Sequence, residues 1–475
     1  MNKKHYTQLQ KMACAGMLFL GISCERPIES DTEFATYPIT AEVYTDGDKS
    51  STGYLPFGGS KSSAFSIDEQ TFYEGTASMR FDIPSVGDFN GSFAGGFFPD
   101  HSGRNLSEFD ALTFWAKASE PAIIDKIGFG QYFGEKKYEV TKFNLAMATG
   151  WQKYIIPIPD PSKLVFERGM FWYADGPDGN EGYTFWIDNL KYEKLGTVAQ
   201  PKPAIFNGQD IVQSQFTGST TSLSGFTQTF NLVNGQNETV SVAPSYFTFK
   251  SSDNSVAFVN ELGEVSISGV GTALITATLG GTKASGSLTV ESLGSLASAP
   301  IPTRTSDNVI SVFSDTYNNI PVISYNIPAN QTTKSSIISV YNNAILLYTN
   351  LNFTVIVLSG NFNVSNMTHL HIDVQIQEPL DAGDILTVEL IDAGPNQILN
   401  GPTNPVDDTG GGTNILASAL TNGSWTGIDI PLNSFTEPTG GGFPGNPNLE
   451  HITQMLFVSN NISNIIVDNI YFFKE

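Results

Sequence analysis

Apolar and polar residues alternate over short runs along most of this chain. In Leu112-Thr113-Phe114-Trp115-Ala116-Lys117, a period of two puts Leu112, Phe114 and Ala116 on one face and Thr113, Trp115 and Lys117 on the other. Similar runs surround Met79, Ile127, Trp151, Phe171 and Trp186, each bounded by Gly, Pro or Asp. This rhythm predicts short antiparallel strands stacked as two-sheet sandwiches. Composition agrees: charged residues make up 15%, aromatics 12%, and there are 45 Gly and 25 Pro, which suits strands and turns better than long helices. The fold class expected is all-β.

One strand repeats. Phe185-Trp186-Ile187-Asp188-Asn189-Leu190 returns as Ile466-Val467-Asp468-Asn469-Ile470, and two further stations precede each copy in the same order. They are the Leu112 run and Gly150-Trp151 before the first copy, and the Leu370 run and Ser424-Trp425 before the second. Two related domains follow from this. A chain of 475 residues has room for about three domains. The divisions fall at 37–196 for the first sandwich, 197–292 for a Ser/Thr/Val/Gly-rich middle, 293–302 for a Ser/Ala/Pro linker, and 303–475 for the second, related sandwich. Because Trp151 and Trp425 share a station ahead of Ile-Pro strands, both are read as packing residues.

The first 24 residues form a leader, with Lys3, Lys4 and Lys11 ahead of an apolar run ending at Leu20-Gly21-Ile22-Ser23-Cys24. The run is too short to span a bilayer. Cys14 lies inside the leader, so Cys24 would be the single cysteine of the mature chain, and no disulfide can form. Residues 25–36 are an acidic tether without apolar periodicity. The formal net charge is -23, with no basic cluster beyond the leader, which argues against nucleic acid and for a neutral ligand.

Several resemblances attach to these stretches. The leader resembles a bacterial lipoprotein signal, which implies lipidation of Cys24, and the acidic tether is similar to surface-export signals of Bacteroidetes lipoproteins. The first domain, with Glu74-Gly75 before Ser78-Met79-Arg80-Phe81, Leu112-Thr113-Phe114-Trp115-Ala116-Lys117, Trp151-Gln152-Lys153-Tyr154 and Trp186-Ile187-Asp188-Asn189-Leu190, resembles galactose-binding-like jelly rolls used as carbohydrate-binding modules. Gly263-Glu264-Val265 and Gly269-Val270-Gly271-Thr272-Ala273 are similar to group 2 bacterial Ig-like domains, which implies a spacer. The third domain, through Asp307-Asn308-Val309 and Met367-Thr368-His369-Leu370, resembles modules that accompany family 16 laminarinases, but it carries Tyr325 where relatives have a Trp. Together these imply two jelly-roll sandwiches separated by an Ig-like sandwich, in a non-catalytic glycan-binding lipoprotein with a SusE/SusF-like role at the outer membrane. It would capture a neutral β-glucan of the laminarin type beside a TonB-dependent transporter and a SusD-like protein. An adhesin or structural surface protein is the reading from another class, and a glycoside hydrolase with unrecognised carboxylates is a third.

The candidate chemistry is aromatic. Sugar rings stack their C–H faces on flat side chains while their hydroxyls pair with polar groups. On the outward face of their strands lie Trp115 with Lys117. Carrying the alternation of Ile127 and Phe129 onward puts Phe133 inward and Tyr132 outward. Trp172 and Tyr173 compete for the outward place on their strand, and the third domain offers Tyr325 and Tyr348. Trp186 reads as core. Asp188, Asp315 and Asp468 are candidates for a structural calcium, with an Asp that pairs with backbone in a turn as the alternative. His369, His371 and Asp373 alternate onto one face, a strand position rather than a metal centre. No Glu-x-Asp-x-x-Glu strand of family 16 glycosidases is present, so no catalytic residue is assigned.

Overall fold

The computed structural model describes residues 36–44, 46, 53–327, 329–401, 403, 405–440 and 442–475. The leader, the first eleven residues of the acidic tether and Cys24 lie outside them. Among the described residues strands are the regular structure, joined by short 3-10 turns, and no α-helix occurs. The all-β, multi-sandwich class is as expected.

In the first domain one sheet runs in the order Phe65–Asp68, Ser78–Asp82, Thr184–Glu193, Ala111–Ala118, Gln152–Pro157, with Glu42–Tyr44 also paired to Thr184–Glu193. The third domain repeats this order with Asn343–Thr349, Ile465–Phe473, His369–Ile376 and Thr426–Pro431. The three repeated stations are therefore three neighbouring strands, with the Leu112 or Leu370 strand between the closing strand and the Trp-led one.

The Asp-Asn signature has a local cause. Register shifts beside Asp188 and near Asp468, and the backbone at Asn189 and Asn469 turns left-handed, φ 49° in both. Asn tolerates that conformation better than other side chains with a Cβ, and the preceding carboxylate accepts its N–H at 2.7 Å in both copies. The repeat is a conserved-geometry bulge in the middle of a sheet.

The second sheet of the first domain departs from a string of separate beads. It runs Leu55–Pro56, Ala94–Arg104, Glu167–Asp175, Ala122–Phe129, Val140–Met147 and continues through Asn237–Val242, Thr227–Asn231 and Ala199–Ala204, eight strands in all. Three strands from beyond residue 196 thus extend the first domain's sheet, joined through Ser241 opposite Thr141 and Val242 opposite Val140. The extension pairs the start of an edge: Val140 and Thr141, the first two residues of Val140–Met147, find strand partners there. One hydrophobic core runs through both parts, from Phe81, Phe114 and Tyr192 to Val240, Tyr246 and Leu288. The remaining middle strands form a sheet of Asp210–Thr217, Ser287–Ser295, Gly271–Leu279 and Phe247–Ser251, faced by Thr220–Ser222, Glu264–Ile267 and Ala257–Val259.

The segment 293–302 is held along the third domain. Trp425 donates its indole N–H to Ala297 O at 2.6 Å, and Asn469 donates to Pro300 O at 3.0 Å. A separate apolar cluster of Phe216, Leu296, Ile338, Val340, Ile345, Leu347 and Ile466, with Trp425 against it, joins the middle sandwich to the third domain. Trp425 packs, as its shared station implies.

Candidate functional site: an aromatic platform on the eight-stranded sheet

Along Glu167–Asp175 the alternation sends Phe171 and Tyr173 into the core and Trp172 to the outer face of the eight-stranded sheet. Tyr173 is fully buried with its hydroxyl 3.4 Å from that of Tyr54, so it is a core residue and not the stacking candidate the sequence offered. Trp172 lies opposite Phe97 and Gly128 in register. It is only 3% exposed, because Phe57 meets it edge-on at 6.5 Å and stacks on Phe97 at 5.8 Å. Trp172 is therefore the floor of a cluster rather than its open surface.

The open ring is Phe133. The strand ends at Phe129, and the chain then makes a tight turn in which Tyr132 and Glu135 exchange backbone hydrogen bonds of 3.0 and 2.8 Å. The two central residues, Phe133 and Gly134, both have positive φ, 46° and 86°. This is the pattern of a type I′ turn, whose first central position favours Asn, Asp or Gly. A bulky aromatic there costs about 1–2 kcal/mol of backbone strain. Phe133 nonetheless stands 63% exposed, its ring edge-on to Phe97 at 5.2 Å and to Tyr132 at 4.9 Å. The sequence expectation of an inward Phe133 is corrected: alternation does not continue past the strand's end.

Polar groups border that ring. His101 Nδ1 lies 3.1 Å from the Tyr132 hydroxyl, and its ring is near-parallel to Phe133 at 6.0 Å. The Arg168 guanidinium covers one face of Tyr132 at 3.9 Å and donates to Glu135 at 2.5 Å. Next to them a cleft of about 280 Å³ is lined by Tyr132, Glu135, Phe166 and Arg168. Beneath it, buried Glu167 accepts the N–H groups of Arg168 and Gly169, yet burial still pushes its carboxyl up to about 7. The arrangement is one apolar face flanked by a phenol, an imidazole, a guanidinium and a carboxylate. It can stack on a flat apolar surface and hydrogen-bond around its rim.

Of the residues expected from sequence, Trp172 and Tyr132 come together here. Trp115 and Lys117 do not, because they lie on the other sheet. Trp115 is half-buried under Tyr73, with parallel rings 3.9 Å apart, so the face a sugar would need is taken. Lys117 instead sits 5.4 Å over Trp186, whose indole N–H donates to Asp68 at 2.8 Å. Trp186, read as core, is on this outer face under cations. Tyr348 is fully buried and donates to Tyr325 O at 2.9 Å; Tyr325 packs edge-on to Phe313 at 5.3 Å. Both tyrosines belong to the third domain's core and its margin, so neither forms a stacking surface there. Phe57, Phe97, His101 and Arg168 escape the sequence reading, which places Phe133 inward; the Phe-Gly pair between two strands is the available signal for Phe133.

The carboxylates considered for calcium accept hydrogen bonds within the fold. Asp188 accepts N–H groups of Tyr73 at 2.8 Å, Glu74 at 3.2 Å and Asn189. Asp468 accepts from Asn343 Nδ2 at 2.9 Å and from Asn469, and Asp315 from Ala344 N–H at 2.6 Å. The N–H donors of Tyr73, Glu74 and Ala344 make Asp188 and Asp315 anchors of the segments that carry them. Among the described residues no group of three or more His, Cys, Asp or Glu is placed to hold a metal ion. His371 bonds Asp429 through Nδ1 at 2.6 Å and stacks on Tyr471, a strand position tied within its own face.

No protein-family model matches the chain, and no curated protein matches it. Among solved structures it is similar to the family 11 carbohydrate-binding module of cellulosomal cellulase Lic26A-Cel5E of Clostridium thermocellum. That likeness has 18% identity and a TM-score of 0.26 over 35% of this chain and 95% of that one. A family 30 carbohydrate-binding module from a cellulosomal cellulase of the same organism gives 16% identity and 0.22, over 34% and 95%. The tandem CBM22 domain of Paenibacillus barcinonensis Xyn10C gives 10% and 0.22, over 93% and 99%. These are likenesses of fold alone.

Proposed function

We propose that this chain is a non-catalytic glycan-binding protein that holds a neutral β-glucan of the laminarin type on the platform around Phe133. The observation that carries the reading is Phe133 itself: a large apolar ring kept exposed in a backbone conformation that Asn or Gly would adopt without strain. Strain of this kind persists where function maintains it. The acidic surface, net charge -23, supports a neutral ligand over an anionic one. The lipoprotein-like leader supports attachment through Cys24 to the outer membrane, facing the medium, where a TonB-dependent transporter and a SusD-like protein would be its partners. Cys24→Ser should release the protein from the membrane fraction, and unchanged lipid labelling would refute the anchor.

The test of the platform is Phe133→Asn. Asn suits the turn, so the variant should be at least as stable as the parent while losing the stacking ring. A stacked aromatic contributes about 0.5–1.5 kcal/mol beyond its buried area. Laminarin affinity, measured by calorimetry, should therefore fall several-fold. A stable variant that binds laminarin as tightly as the parent would overturn the assignment.

A further inference from the structure

The outer face that carries the platform does not stop at the first domain. Residues directly opposite in neighbouring strands share a face. The register gives one continuous row: Phe97 opposite Trp172, Trp172 opposite Gly128, Gly128 opposite Thr141, Thr141 opposite Ser241, and Ser241 opposite Thr227. This row crosses from the first domain onto the middle sandwich without a break, and because Phe97, Trp172, Gly128 and Thr141 are buried it forms the floor beneath the outer face rather than its open surface. With strands about 4.8 Å apart it spans about 24 Å, the length of several sugar units.

At its far end lies a cleft of about 670 Å³ lined by Phe143, Phe226, Ser224, Thr239, Ser241 and Lys142. Phe143 is on the neighbouring row, opposite Lys126, and is 46% exposed. Thr239 shares a hydrogen bond of 2.8 Å with Thr229, and Ser241 donates to Phe226 O at 3.4 Å, which leaves their hydroxyl oxygens as acceptors. Lys142 is paired with Glu238, so its charge is balanced. The cleft thus repeats the platform's chemistry, an exposed ring among hydroxyls, with no net charge to favour an anionic chain.

We infer that the middle sandwich is part of the binding surface rather than a spacer, and that the cleft at Phe143 is a second subsite for the same neutral glycan chain. The inference rests on the platform reading and extends it. Its physical content is chain length: a short oligosaccharide occupies the platform alone, and a longer one also reaches the cleft.

The experiment uses the full mature chain with laminaritriose, laminarihexaose and laminarin as probes, comparing Phe143→Ala, Ser224→Arg and Phe133→Asn. Ser224 is exposed, so Arg there fills the cleft without entering a core. The parent should bind the hexasaccharide several-fold tighter than the trisaccharide. Phe143→Ala and Ser224→Arg should remove that gain and leave trisaccharide affinity unchanged, whereas Phe133→Asn should weaken both. If the cleft variants bind the hexasaccharide like the parent while Phe133→Asn loses affinity, the subsite is refuted and the platform stands. Equal parental affinity for both lengths would also refute the subsite. Absence of binding to all three probes would overturn both readings.

Discussion

The union of the first domain with the middle sandwich makes a direct thermodynamic prediction, centred on Tyr246. This residue follows the extension strands in a short 3-10 turn and is 1% exposed. Its ring meets Tyr138 of the first domain at 5.3 Å, and its hydroxyl donates to Tyr138 O at 3.1 Å. Replacing a fully buried aromatic by Ala costs about 3–5 kcal/mol. Tyr246→Phe removes only the hydrogen bond, about 1 kcal/mol. At roughly 2–4 °C per kcal/mol for a unit of this size, Tyr246→Ala should lower the midpoint by on the order of 10 °C and Tyr246→Phe by about 3 °C. Residues 197–292 contain no Trp; of the five in the chain, Trp115, Trp151, Trp172 and Trp186 lie in the first domain and Trp425 in the third. Tryptophan fluorescence therefore reports a part of the chain that the substitution does not occupy. If the two parts share one core, the tryptophan-monitored transition shifts together with that seen by circular dichroism. A tryptophan midpoint that stays fixed while hydrogen exchange in 205–295 accelerates would refute the shared core.

Other outcomes follow from buried groups elsewhere. Glu167 ordinarily titrates near 4.5, and burial raises it to about 7 in the folded chain. The folded state thus keeps a proton that the unfolded state has released, and stability falls as pH rises from about 4.5 to about 7, by on the order of 3 kcal/mol. Glu167→Gln, which can still accept both backbone N–H groups, should flatten that part of the pH profile in urea titrations; an unchanged slope would count against the assignment. Asp175 and Asp468, each raised to about 6 by burial, act in the same direction. Trp425→Ala removes both the hydrogen bond to Ala297 and a ring from the cluster that joins the middle and third domains. Cleavage by a nonspecific protease near 293–302 should become faster, with a larger radius in small-angle scattering, and identical digestion would refute the junction.

The strands, the repeat and the all-β class were legible because a period of two is a local property: each residue's face depends on its neighbours in sequence. The limits of that signal are visible at particular residues. Phe133 was assigned inward by counting from Ile127 and Phe129, but the count lapses once the strand ends at Phe129. Tyr348 was read as a surface candidate although its strand, Asn343–Thr349, is buried along four successive residues. The union of the first two domains was not legible at all, since Val140 meets Val242 and Tyr138 meets Tyr246 only after the chain has folded.

Trp115 shows a further limit, and it connects the repeated Asp to the choice of binding face. Alternation placed Trp115 outward correctly, but it cannot say what lies over an outward ring. That is decided by the segment between Phe65–Asp68 and Ser78–Asp82, which Asp188 holds by the N–H groups of Tyr73 and Glu74, while Asp68 holds Gln70 at 2.7 Å and Thr71 at 3.0 Å. These anchors set Tyr73 flat on Trp115 and close the face that looked most suited to a sugar. The bulge that makes the Asp-Asn pair recognisable in sequence is thus also what turns that carboxylate toward the covering loop. With Trp115 covered in this way, exposed rings remain beside the eight-stranded sheet at Phe133 and on it at Phe143, and that is the sheet which runs on into the middle sandwich.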